Sequence, residues 1–106
     1  MSYSIFPDGK YGEATEAAYN EVMRAITLHP SSVPFACPHQ GYAILLEEVD
    51  EMWDEIKKNN RPLSVYEAIQ VAAMAIRYAA EFGTYPYGKK PTPKVEELKD
   101  IPGNNF

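Results

Sequence analysis

The sequence predicts an all-α protein: an antiparallel helical bundle of about three main helices per chain, completed by dimerisation, with an extended C-terminal tail. Three observations carry this. Apolar residues recur at helical spacing in three stretches, proline-bearing breaks separate those stretches, and β-branched residues nowhere alternate as they do in strands. Residues 1–82 read as one helical domain and residues 83–106 as a tail containing proline and lysine.

Each element follows in order. Residues 1–10 form an arm ending in the turn signal Asp8-Gly9. From Tyr11 to Leu28, Ala18, Tyr19, Val22, Met23 and Ile26 fall on one side of a helix, and Pro30 stops it. "HPSSVPFACPH" is a connecting loop. A second helix runs from about Gln40 to Lys58, with an apolar stripe of Tyr42, Leu45, Leu46, Val49, Met52, Trp53 and Ile56. At about 100° per residue these lie within about 60° of Val49. Lys57 and Lys58 suit the negative end of its dipole. "NNRP" breaks the chain. Ser64 can open a third helix to about Phe82, with Pro62 as a competing first residue. Its middle, "AIQVAAMAI", is apolar on nearly every face. Such a helix is usually buried all round, which three helices alone do not achieve; hence the expectation of a homodimer or a dimer of dimers.

Composition narrows the function. The chain has 106 residues and a net charge of −5. Nucleic acid is not an expected partner, because phosphate backbones need clustered Lys and Arg. No apolar run approaches the ~20 residues that span a bilayer, so no membrane is expected. The N-terminus lacks a secretory pattern and Cys37 is the only cysteine, which points to a reducing, cytoplasmic setting. Cys37, His39 and His29 make a poor zinc set, and a loop thiol is the better reading.

The second helix carries the chemistry. "LEEVDEMWDE" holds six acids in ten positions and no Lys or Arg. A solvated helix face usually interleaves Glu with Lys, and each like-charge pair costs a few tenths of a kcal/mol. A divalent cation would reverse that sign, and hard oxygen ligands suit Mg²⁺, with Mn²⁺ an alternative. Projected from Val49, Glu48, Glu55 and Glu51 share one flank with Ile44, whereas Glu47, Asp50 and Asp54 take the other. On the third helix Glu67 and Gln70 stand at i, i+3 with Arg77 and Glu81 below them. Glu67 also fits a capping box on Ser64, which would turn it away from a metal, and Gln70 also fits a satisfied core amide. Arg77, Lys89 and Lys90 are candidate phosphate contacts on charge alone.

"EEVDE" (Glu47 to Glu51) and, after a gap of fifteen residues, "EAIQ" (Glu67 to Gln70) resemble the MazG-type all-α nucleoside triphosphate pyrophosphohydrolases, which carry E-E-x-x-E on one helix and E-x-x-D on the next. The likeness covers roughly residues 40–82. It implies an Mg²⁺-dependent hydrolase of a nucleotide substrate, with Glu48, Glu51, Glu67 and the position of Gln70 as metal ligands. Glu47 would be an outer orienter or catalytic base. Gln70 departs from the family's aspartate and removes one negative charge. That keeps two other readings open: a degenerate relative that binds a nucleotide or a protein without chemistry, and a plain helical oligomerisation module.

Overall fold

The computed structural model describes residues 5–83. The tail from residue 84 onward, Lys89 and Lys90 included, lies outside them. Among the described residues there are three α-helices, α1 (Lys10–Leu28), α2 (Pro38–Lys57) and α3 (Arg61–Phe82), one 3₁₀ turn at Pro30–Ser32, and no strand.

α1 starts at Gly9, whose φ of 96° is open to glycine and strained for other residues. The Gly9 carbonyl accepts the Glu13 N–H at 2.9 Å. The helix ends where His29 donates to the Ala25 carbonyl and Pro30, with no N–H of its own, follows. α2 opens on Pro38 in its first turn, two residues before the expected start, because proline's fixed φ and missing N–H suit that position. The Gln40 side chain reaches back to accept the Ala36 N–H at 2.6 Å. The other end closes through Asn59, which takes the left-handed conformation (φ 58°) while Asn60 N–H reaches the Glu55 carbonyl at 3.0 Å.

Only residues 58–60 join α2 to α3, so the two helices run antiparallel side by side. Here the structure corrects one expectation. α3 begins at Arg61, not Ser64: Asn60 is the N-cap, its Oδ1 accepting the Leu63 N–H at 3.2 Å, with Pro62 in the first turn. Ser64 is already inside the helix and donates to the Arg61 carbonyl at 2.7 Å. The Ser64–Glu67 capping box is therefore not formed, because the better cap lies four residues earlier.

α1 and α2 each pack on α3 and not on one another. Val22, Phe35, Ala73 and Met74 are the buried centre, with Ile26, Ile44, Leu45 and Tyr78 against it. Gly41 marks a close approach of α2 to α3, where a Cβ would stand 2.8 Å from the Tyr78 ring and 3.0 Å from the Phe35 ring. Opposite it, a buried ionic group ties the α1–α2 connection to α3. Arg77 bonds Glu81 at 2.8 Å and the Ser32 carbonyl at 3.0 Å, and lies 4.0 Å over the Phe35 ring. Glu81 in turn accepts the Phe35 N–H at 2.7 Å.

One burial expectation changes. The apolar stripe of α2 does not turn inward: Tyr42, Leu46, Val49, Trp53 and Ile56 are exposed, while Gly41, Ile44, Leu45, Glu48, Met52 and Glu55 are the buried or half-buried positions. α2 has rolled so that the flank bearing Glu48 faces α3. α3, as expected, is not buried all round by three helices alone: among the described residues Leu63, Val65, Tyr66 and Ile76 remain open.

A candidate carboxylate metal centre

Glu48 and Glu51 stand one turn apart on α2, and Glu67 stands in the second turn of α3. Starting α3 at Arg61 brings Glu67 down the helix, away from the cap and level with the α2 acids. One ligand oxygen from each of the three carboxylates lies within 4.8 Å of the others. Glu48 and Glu67 are half-buried and Glu51 is exposed, so the cluster meets solvent on one side.

The electrostatics are those of acids forced together. Partial burial, a hydrogen bond shared with Glu67 and the nearby charges of Glu51 and Glu67 push the Glu48 carboxyl up to about 7. Burial also raises Glu67; the bond to Glu48 pulls it back down, and Glu51 and Glu55 push it up again. Crowding makes the Glu48–Glu67 pair hold a proton more tightly than separate carboxyls would. Glu67 Oε2 is buried with no hydrogen-bond partner. A buried acceptor left unmatched costs about 1–3 kcal/mol, so such atoms are rare in folded proteins. Among the described residues no Lys or Arg forms an ion pair with Glu48, Glu51 or Glu67; the neighbouring cations are engaged elsewhere, Lys57 with Asp54 and Lys58 with Glu55.

The donor set fits a hard divalent cation. Oxygens around one Mg²⁺ at about 2.1 Å sit at most about 4.2 Å apart, so small side-chain rotations would close the three carboxylates on an ion. Protons and a cation compete for the same oxygens, so the proton on Glu48 must leave when an ion enters.

The other expected site residues are placed as follows. Glu47 is exposed and is not one of the three clustered acids. Gln70, one turn beyond Glu67, is buried, and its side chain acts on Glu21 of α1, helping to hold that carboxyl low. Arg24 is the larger influence holding the Glu21 carboxyl low, and Gln70 adds to it. Arg77 lies ten residues beyond Glu67, about 15 Å along the axis, and its guanidinium is enclosed by Glu81, Ser32 and Phe35. Sequence reasoning set Glu55 on the flank of Glu48 and Glu51 without counting it among the site residues. It is half-buried, and its charge raises Glu67. Its spacing of four from Glu51 and seven from Glu48 was the available signal.

A cleft of about 280 Å³ opens at the α2–α3 turn, lined by Ile56, Asn59, Asn60, Arg61 and Ser64. None of Glu48, Glu51 and Glu67 lines it; Ser64, three residues before Glu67, is its nearest member in sequence to the cluster on α3. Among the described residues, no helix is long and apolar enough to cross a membrane. Comparison of the chain with protein-family models, with curated proteins and with solved structures finds no match. What stands is an all-α three-helix protein with a carboxylate cluster that can hold a metal ion.

Proposed function

We propose that the chain is a divalent-cation-dependent hydrolase that converts a (deoxy)nucleoside triphosphate to its monophosphate and pyrophosphate, with Mg²⁺ or Mn²⁺ held by Glu48, Glu51 and Glu67. The convergence of three carboxylates from two helices, with Glu67 Oε2 buried and unmatched, carries this reading. The sequence pattern shared with the MazG-type enzymes supplies the substrate class. A bound ion would neutralise phosphate charge and polarise a phosphoryl oxygen. The protein's own groups do the rest. Glu47, next to the cluster in sequence and solvent-exposed, is the residue to accept a proton from the attacking water. The Asn59, Asn60 and Ser64 side chains and the Arg61 guanidinium offer donors to phosphate or sugar in the cleft at the α2–α3 turn. Water adds across the α–β P–O–P linkage, so the products are a monophosphate and pyrophosphate and no other reactant is needed.

One observation favours a second reading. Gln70 is buried with its influence on Glu21 of α1, and Arg77 is enclosed by Glu81, Ser32 and Phe35, so two residues expected to serve metal and phosphate are engaged elsewhere. A protein that binds a metal–nucleotide complex without cleaving it would look the same. Pyrophosphate release from a panel of ordinary and modified nucleotides, with Mg²⁺ and with Mn²⁺, separates the two. Hydrolysis means release that disappears in Glu51→Gln. Saturable Mg²⁺ binding with no release across the panel supports the non-catalytic binder. Neither binding nor release leaves the acids as a solvated face of a helical oligomerisation module.

A further inference from the structure

Tyr42, Leu46, Val49, Trp53 and Ile56 make one exposed apolar strip along α2, about 21 Å long at about 1.5 Å per residue. No described helix covers it, since α2 meets only α3, and does so through the flank that bears Glu48. The strip is bordered by acids. Asp50 and Asp54 are exposed beside it, and positions 42–56 hold six acids and no Lys or Arg. A second copy of the strip would bring those acids together, so the occupant has to be both apolar and basic. We propose that it is the segment of this same chain that follows α3, residues 84–95, laid along the strip in the direction of α2. The proposal is independent of the metal reading.

Three observations select that occupant. The first is where α3 ends. Phe82 stacks on the Phe35 ring with centroids 6.4 Å apart, and the same ring closes on Gly41 in the first turn of α2. α3 therefore delivers the chain beside the Tyr42 end of the strip, and Gly83 leaves it extended (φ −82°, ψ 163°). The second is length and composition. Pro86, Pro91 and Pro93 favour a polyproline II chain at about 3.1 Å per residue, so residues 84–95 reach about 37 Å. That covers the strip and leaves about 16 Å to cross from Gly83. Proline-rich chains dock on open aromatic side chains, and Tyr42 (62% exposed) and Trp53 (55%) stand towards the two ends of the strip. The third is charge. Residues 84–95 carry Lys89, Lys90 and Lys94 and no acid, and the next acids are Glu96 and Glu97. α2 has the opposite order, acids as far as Glu55 and then Lys57 and Lys58. Laid parallel, each block meets the opposite sign. Among the described residues no Lys or Arg pairs with Asp50, and Asp54 has only its surface pair with Lys57.

Trp53 is the only tryptophan of the chain, so its fluorescence reports on the strip directly. In the full chain the ring should resist quenching by acrylamide, a neutral probe, equally at micromolar and at hundred-micromolar protein. Lys89→Glu/Lys90→Glu/Lys94→Glu should raise the quenching constant about twofold or more, as should about 1 M salt, where the screening length falls to about 3 Å. Asp50→Lys/Asp54→Lys should do the same, and the two sets combined in one chain should restore the shielding. Far-UV circular dichroism should stay unchanged throughout, because Asp50 and Asp54 are exposed and the lysines lie beyond the end of α3. Quenching of the wild type equal to that of the lysine variant overturns the proposal. Shielding that grows with protein concentration makes a second copy the occupant and overturns it as well. Shielding lost in each set and not restored by their combination overturns the parallel placement.

Discussion

Removing the Glu48 charge should stabilise the metal-free protein at neutral pH and, by the same change, deprive it of its response to metal. In the folded chain the Glu48 carboxyl sits near 7 against an ordinary value of 4.5. Below about 4.5 both folded and unfolded chains hold the proton, and the group costs nothing. Between 4.5 and 7 the unfolded chain gives up its proton and the folded chain keeps it, so stability falls as pH rises. Above 7 the whole cost is present. In a dry site the gap would amount to roughly 3 kcal/mol, at about 1.4 kcal/mol per pH unit. Solvent reaches this cluster and screens it, leaving about 1 kcal/mol. For a domain of this size that is a melting shift of about 4–8 °C. Glu48→Gln keeps the shape and removes the ionisation. Melting curves by circular dichroism at about pH 5 and about pH 8, for wild type and variant without metal, isolate the effect: the variant should gain on the wild type by those degrees between the two pH values, the rest of the titration cancelling in the difference. With Mg²⁺ at ten times its Kd the wild type should recover about 1.4 kcal/mol at pH 8 and the variant much less. A variant that loses ground as pH rises, or responds to Mg²⁺ as the wild type does, would refute the reasoning.

Other expectations concern the frame that holds the cluster. Gly41→Ala drives a methyl to 2.8 Å from the Tyr78 ring and should cost about 1–3 kcal/mol in a denaturant titration; an unchanged midpoint would mean that the α2–α3 crossing is looser than described. Arg77→Ala leaves Glu81 buried without its partner and should cost about 3–5 kcal/mol, and Arg77→Lys should recover only part, because a lysine cannot both fork to Glu81 and Ser32 and stack on Phe35. Asn60→Ala removes the α3 cap and should lower stability by about 0.5–2 kcal/mol, while Ser64→Ala changes it little; the reverse order would restore Ser64 as the cap.

The helices were legible in the sequence because their stops are chemical. Pro30 cannot continue a helix and Asn59-Asn60 closes one and caps the next, so each boundary is local information. The α3 start stayed open between Ser64 and Pro62 because Ser64 and Asn60 are both good caps by sequence, and the choice turns on which side chain reaches a free N–H. Glu48, Glu51 and Glu67 were legible for a related reason: spacing fixes the first two on one flank, and a short hairpin fixes that flank against the next helix. The roll of α2 was not. Periodicity locates an apolar stripe without saying which partner covers it, and here the stripe holding Val49 and Trp53 is left open. Gln70 with Glu21 and Arg77 with Ser32 were hidden too, because each pairs residues far apart in sequence whose types have many alternative partners.

The account stands most directly on calorimetric titration of Mn²⁺ and Mg²⁺ into the full chain at about pH 8, above the Glu48 titration. It predicts saturable binding that releases proton when repeated near pH 6.5 and that is lost in Glu67→Gln, whose carboxylate brings the buried, unmatched oxygen to the site. No saturable heat with either ion, or binding that survives Glu67→Gln intact, would contradict it.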